Sequence, residues 1–266
     1  MIPKVIHYCW FGHNPLPDLA VRCIESWRKF LPDYEVKEWN EENFDVNAVT
    51  YTREAYAEKK YAFVSDYARF WILYDYGGLY FDTDVEIIKP LDEIVNRGAF
   101  MGCEQDYKLL ANGSVVPGTG VAVNPGLGIG AEPGMSVYKE ILDQYATFHF
   151  LYADGSQNQK TVVAYTTELL ATKGLEVKNE IQCVDGIFIY PKDYFGPKDY
   201  ITNKLNVNEK TVAIHHYNAS WRDQTLLGSL YETIKNGFLL RCLPTKLVTR
   251  ILRMKEHKRV TGSYFN

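Results

Sequence analysis

Residues 77–86 read Gly77-Gly78-Leu79-Tyr80-Phe81-Asp82-Thr83-Asp84-Val85-Glu86. Leu79–Phe81 has the apolar character of a buried strand, and Asp82 and Asp84 follow it directly. Two carboxylates therefore stand where a strand ends, at the edge where α/β sheets bind ligands. Oxygen donors at this spacing suit a hard divalent cation that also holds phosphate oxygens, Mn²⁺ or Mg²⁺ in preference to Zn²⁺. Acidic pairs near turns are common, so the context has to carry the argument.

Upstream, Ala62, Phe63, Tyr67, Phe70, Trp71 and Tyr74 recur at three- and four-residue spacing, which predicts a helix over 61–76 with a buried face. Gly77-Gly78 is a suitable stop for it. Asp66 and Arg69 are three apart and share one helical face. On an exposed helix they would be a local ion pair. In a helix this apolar, a charged pair needs partners, and a polar ligand is one.

Further out, residues 4–10 read as a buried strand and 11–17 as a loop. Asp18 is expected to cap a helix through Phe30, with Ala20, Ile24, Trp27 and Leu31 on one stripe. Pro32-Asp33 breaks it before a second strand over 34–39. Strand–helix–strand alternation predicts a parallel sheet with crossovers. Downstream, 85–88 reads as a short strand, the Gly- and Pro-rich stretch 111–134 as an ordered loop region, and 136–145 and 161–173 as helices. A late strand over 212–215 feeds the loop His215-His216-Tyr217-Asn218-Ala219-Ser220-Trp221. No repeat interrupts the chain, and the expected division is one domain over 1–238 and a tail over 239–266.

A chain of 266 residues, 46% hydrophobic and 23% charged, can bury one substantial core. The 14% aromatic content, with 20 tyrosines, fits either an aromatic core or a protein that handles sugars through stacking and hydroxyl contacts. Five scattered cysteines without Cys-x-x-Cys spacing point away from structural zinc and disulfides and toward a reducing cytoplasm. No leader and no membrane-spanning apolar run is expected. Seven Lys or Arg fall in 241–259 against Glu256, while the whole chain carries −4. An acidic globule with a basic tail argues against nucleic acid as a partner and for a tail that meets an anionic surface. Leu239, Leu240, Leu243, Leu247, Val248, Ile251 and Leu252 fall largely on one helical face of that tail, the form of a helix lying in a membrane interface. Packing on the protein's own surface or a partner subunit is the alternative, since Pro244 interrupts the early turns.

Ser65-Asp66-Tyr67-Ala68-Arg69, followed by Tyr76 through Asp84, resembles the DXD-motif glycosyltransferases of family 32, the capsular polysaccharide type related to the clostridial glucosylating toxins. Ile2–Gly12 resembles the first strand of that family, 214–221 its C-terminal loop, and Gly128–Glu132 and Ile189–Phe195 its bacterial capsular subgroup. The resemblance spans roughly residues 2–222, with its motifs in order. It implies an α/β fold of the GT-A nucleotide-diphospho-sugar transferase type, a mixed, mostly parallel sheet flanked by helices. It implies a retaining hexosyltransferase that uses a UDP-sugar and Mn²⁺ or Mg²⁺ and acts on a glycan acceptor, lipid-linked at the cytoplasmic membrane face, in capsule, O-antigen or exopolysaccharide assembly.

The resemblance also assigns roles. Asp84 is the direct metal ligand, and Asp82 reaches the ribose, the sugar and a metal-bound water. Tyr80 lies beside the nucleotide, and Trp10 covers the uracil. Asp66 and Arg69 hold donor-sugar hydroxyls and phosphate. His216, Ser220 and Trp221 belong to a loop closing over the diphosphate, with His216 completing the metal site. Strand alternation is expected to turn His215 the opposite way. Asn218 stands where the family often has Asp. Asn124 and Glu132 are expected to face the acceptor. The competing readings are a haloacid-dehalogenase-like phosphatase with Asp82 as nucleophile, and a non-catalytic carbohydrate-binding protein on the same fold.

Overall fold

The structure is a computed structural model that describes residues 1–106, 120–199 and 203–218. Strands β1 (Val5–Cys9), β2 (Glu35–Trp39), β3 (Gly78–Tyr80), β5 (Phe100–Gln105), β6 (Ala122–Ala131), β7 (Gln182–Val184) and β8 (Ile187–Tyr190) form one sheet in the order β2-β1-β3-β6-β5-β8-β7. β1 pairs in parallel with β2 and β3, and β5 with β8, whereas β6 runs antiparallel to β3 and β5 and β7 antiparallel to β8. Most strands thus point one way, which is the mixed, mostly parallel α/β sheet that the resemblance implied. Two further strands, β4 (Val85–Ile87) and β9 (Ala213–His215), make a small antiparallel sheet of their own.

Helices cover both faces. Helix α1 (Asp18–Phe30) turns Ile24 and Trp27 onto a core shared with Ile6, Tyr8, Leu79, Phe81 and Phe100. On the other face, α2 (Thr50–Ala57), α3 (Tyr61–Tyr76), α5 (Ser136–Tyr145) and α6 (Val162–Thr172) bury Tyr51, Phe70, Ile141 and Leu170 against Met101, Val123 and Ile129. Short helices α4 (Asp92–Arg97) and α7 (Lys192–Phe195) complete the chain order. A sheet covered on both sides explains why its strands read as apolar runs and not as alternation.

Two expectations are corrected and one is refined. Asp18 does not cap α1: Pro17 occupies the cap position, and Asp18 lies in the first turn, where its charge complements the helix dipole. The short strand expected over 85–88 is present as β4, and it pairs with β9 in the small second sheet. Within the stretch read as loop over 111–134, β6 runs through the middle of the sheet. Its glycines concealed it. A Cβ on Gly130 would lie 2.4 Å from the Phe100 ring, and one on Gly128 would lie 2.8 Å from that of Phe81. Bare backbone there is what lets those two rings pack.

The turn from α3 into β3 is locked by His7. Its Nε2–H donates to the Gly77 carbonyl at 3.0 Å, and its Nδ1 accepts the Trp39 indole N–H at 3.0 Å. Gly78, at φ +97°, passes so close to Val5 that a Cβ would sit 2.6 Å from its carbonyl oxygen. Both bonds require a neutral imidazole, and burial lowers the His7 pKa from 6.5 to about 4. The unfolded chain therefore takes up a proton below about 6.5 that the fold refuses until about 4. This contribution to stability is complete above pH 6.5 and is lost as the pH falls toward 4, with a full value of about 3 kcal/mol. Urea unfolding at pH 7.5 and pH 5 should show that loss in the unaltered protein. His7→Gln should be less stable at pH 7.5 and show a flatter dependence between the two.

Candidate active site

The carboxyl ends of β1, β3 and β5 and the start of the antiparallel β6 meet at one edge of the sheet. There they open into a cleft of about 380 Å³, within the ~300–1,000 Å³ common for small-molecule sites. Trp10 and Asn14 line one end, and Thr161–Val163 at the start of α6 line it as well. Asp66, Arg69, Tyr80, Asp82, Asp84, Glu104, Asn124 and His215 all face this space.

The buried guanidinium of Arg69 organises the floor. Its Nη2 donates to Asp66 Oδ1 at 2.8 Å and lies 3.3 Å from Asp82 Oδ1, while Nε donates to the Ser65 carbonyl one helical turn back. Its flat face covers the Tyr80 ring, whose hydroxyl donates to Asp82 Oδ1 at 3.2 Å. Burial pushes the Asp66 carboxyl up to about 7, with Arg69 opposing the shift and Asp82 adding to it. Asp82 is raised by burial too, against the pull of Arg69.

Asp84 has different surroundings. Its Oδ1 lies 3.0 Å from His215 Nε2, and its Oδ2 accepts the Asn218 backbone N–H at 2.8 Å. Burial alone would raise its pKa, but His215 and the Asn218 amide hold it down to about 2. In return, Asp84 raises His215 against burial. Ligand atoms of Asp82, Asp84 and His215 all lie within 4.8 Å of one another. The two carboxylate oxygens fit Mn²⁺ or Mg²⁺ by donor type, and the imidazole nitrogen favours Mn²⁺ of the two.

The placement of the two histidines differs from the expectation. They do turn opposite ways, but β9 pairs His215 with Val85, which brings His215 inward against Asp84. His216 instead meets Glu86 at 2.9 Å. Alternation fixes only that one histidine points inward; the register of β4 against β9 decides which. Trp10 does line the cleft, with its indole N–H donating to the Asn14 carbonyl at 2.6 Å. Asn124 is inside the cleft, whereas Glu132 meets the Met1 amino group at 2.6 Å beyond the far end of β6. Ser220, Trp221 and the tail over 239–266 lie outside the described residues.

Gly126 joins the two halves of the site. Its carbonyl accepts the Asp82 N–H at 3.1 Å, and a Cβ there would lie 2.1 Å from Asp82 Oδ2. Residues 125–128 have no partners on β5, because the register jumps from Gly102–Asn124 to Met101–Ile129. This bulge tolerates Pro125 and aims Gly126 at the aspartate. Gly126→Ala should displace the Asp82 carboxylate and weaken binding of a divalent cation, read by titration calorimetry, at least tenfold. Overpacking of this kind should cost only about 1–3 kcal/mol of stability, so the variant should keep its far-UV circular dichroism.

Residues 17–101 match the family model described as a glycosyltransferase sugar-binding region containing the DXD motif. The chain is 31% identical over 111 residues to inositol phosphoceramide mannosyltransferase 1 of Schizosaccharomyces pombe, covering 38% of this chain and 33% of that one. It is 33% identical over 104 residues to inositol phosphoceramide mannosyltransferase 3 of the same organism, covering 38% and 29%. These matches span about a third of the relatives' length. Among solved structures, the PaToxG glycosyltransferase aligns at TM-score 0.46 and 19% identity, over 65% of this chain and 70% of that one. Asp66, Arg69, Tyr80, Asp82 and Asp84 fall inside the matched region, and Glu104, Asn124 and His215 fall outside it. The stretch that builds the charged floor of the cleft is thus the stretch that matches the DXD region of glycosyltransferases.

Proposed function

We propose that the protein is a metal-dependent glycosyltransferase that moves a sugar from a UDP-sugar to a hydroxyl of a glycan acceptor with retention of configuration. The observation that carries this reading is the convergence of Asp82, Asp84 and His215 beside the Asp66–Arg69 pair. Four carboxylates line the cleft, Asp66, Asp82, Asp84 and Glu104, against the cations Lys59 and Arg69 and the imidazole of His215. So acidic a cleft repels a bare diphosphate, which makes a bridging divalent cation the natural partner for an anionic donor. When bound between Asp82, Asp84 and His215, such an ion would offset charge on the departing diphosphate.

The chain's own groups supply the rest. Arg69 directs its guanidinium, already fixed by Asp66 and Ser65, toward donor oxygens. Asp66, raised to about 7, exchanges hydrogen bonds with sugar hydroxyls in either protonation state. Trp10 offers a flat face to the nucleobase. The reading assigns no enzyme nucleophile: attack comes from the front face, with the departing phosphate accepting the acceptor's proton. Capsule, O-antigen or exopolysaccharide assembly on a lipid-linked acceptor at the cytoplasmic membrane face completes the reading, supported by the resemblance and the basic tail.

A panel of UDP-sugars, with a mannose-bearing nucleotide added because two relatives are mannosyltransferases, tests it by donor hydrolysis with and without Mn²⁺. One donor should be cleaved, only with the ion present. Asp84→Asn should lower that rate by at least tenfold and weaken Mn²⁺-dependent UDP binding while keeping the far-UV circular dichroism of the folded protein. Cleavage of phosphomonoesters without any donor hydrolysis would instead point to the aspartyl phosphatase reading. UDP-sugar binding with neither hydrolysis nor transfer would point to a non-catalytic sugar binder.

The tail yields a separate expectation. The full chain should co-sediment with vesicles rich in phosphatidylglycerol at low salt, since each basic residue near an anionic surface contributes about 1 kcal/mol. A chain ending at residue 238 should not. Sedimentation that persists without the tail, or is indifferent to salt, removes the membrane role.

A further inference from the structure

Glu104 stands at the carboxyl end of β5 and lines the cleft, half-buried. It was not singled out in the sequence, and it falls outside the matched region. Its position is nonetheless fixed relative to the two motif aspartates. Asn124 Nδ2 donates to Glu104 Oε2 at 2.8 Å, and Asn124 Oδ1 accepts the Gly126 N–H at 2.7 Å. Gly126 in turn accepts the Asp82 N–H at 3.1 Å. One continuous set of hydrogen bonds therefore runs from the metal-binding turn across β6 to a further carboxylate. Asn124 itself is buried, so this support is preorganised and not a mobile surface contact.

The order of strands tells which part of a ligand Glu104 meets. From β3, which delivers Asp82 and Asp84, β1 with Trp10 is one strand away in one direction. β5 is two strands away in the other, across β6, a span of about 10 Å. A ligand with its nucleobase at Trp10 and its diphosphate at the aspartates must extend its sugar end toward β6 and β5. A carboxyl group accepts hydrogen bonds through its oxygens, and the group that donates them on a sugar is a hydroxyl.

We propose that Glu104 is a further sugar-binding residue, accepting a hydrogen bond from a sugar hydroxyl at the end of the cleft away from the nucleobase, and that Asn124 positions it. This inference rests on the transferase reading and specifies where the sugars lie within it.

Glu104→Gln and Glu104→Ala in the full chain provide the test. Each is compared with the unaltered protein by titration calorimetry with UDP–Mn²⁺ and with the donor identified by hydrolysis. Transfer kinetics are followed to a set of methyl glycosides, or to water where none accepts. UDP–Mn²⁺ affinity should stay within about twofold, and transfer should fall about tenfold or more, as for loss of a hydrogen bond to a charged group. A raised KM for the methyl glycoside at unchanged donor affinity puts the hydroxyl on the acceptor. Donor affinity falling toward that of UDP alone puts it on the transferred sugar. Rates and affinities within twofold of the unaltered protein in both variants overturn the proposal. So does a parallel loss of UDP–Mn²⁺ affinity, which would mean that Glu104 merely holds β6 in place through Asn124. If the unaltered protein binds no nucleotide with Mn²⁺ and transfers no sugar, the transferase reading itself fails and this inference falls with it.

Discussion

A guanidinium almost sealed from water is expensive unless its charge is met, and Arg69 is only 3% exposed. Asp66 and Asp82 meet it from two different elements, a helix and the end of a strand. That shared cation ties α3 to the turn after β3, and through the turn to β6. Loss of either aspartate would leave a buried charge half-compensated, an error that costs about 3–5 kcal/mol where such pairs are broken. The same arrangement prepares chemistry. Three groups that would each relax freely in water are held rigid, with their remaining hydrogen-bonding capacity pointed into the cleft.

Rigidity around that cation depends on the absence of side chains elsewhere. At Gly126, Gly128 and Gly130 the chain gives up side chains so that Asp82, Phe81 and Phe100 can lie against bare backbone. The core thereby gains two buried rings, and the site gains a carbonyl that grips the Asp82 amide. A strand this poor in side chains contributes little packing of its own. It holds because β3 and β5 pair with it on either side and α6 anchors it through the bond from the Val123 N–H to Thr167 Oγ1.

This division explains what could be read in advance. Helix α3, the strand after it and the paired carboxylates announce themselves through periodicity and local spacing, because their neighbours in space are neighbours in sequence. Asp66 and Arg69 could be matched from a three-residue interval alone. By contrast, β6 was unreadable as a strand because glycine and proline, the usual punctuation of loops, serve there to admit side chains from 20 to 50 positions away. That His215 and not His216 faces the cleft, and that Glu104 lines it at all, escape the sequence for a related reason. His215 is selected over His216 by pairing across about 130 residues, and Glu104 is an ordinary glutamate whose importance lies in two strand spacings. Local chemistry is legible in a sequence; register and strand order are not.

The two kinds of residue also divide the cleft. The end at β1 and β3 carries the cation, the stacked tyrosine and the carboxylates suited to an ion and a diphosphate, features that a nucleotide-sugar site of any specificity needs. The end at β5, β6 and α6 carries Glu104, Asn124 and Thr161–Val163, hydrogen-bonding groups beside small apolar surfaces. In the reading proposed for Glu104, a hydroxyl presented to the preplaced carboxylate is rewarded and an analogue lacking it forfeits that hydrogen bond, which is how placed polar groups generate selectivity. The matched region stops at residue 101, just short of that end.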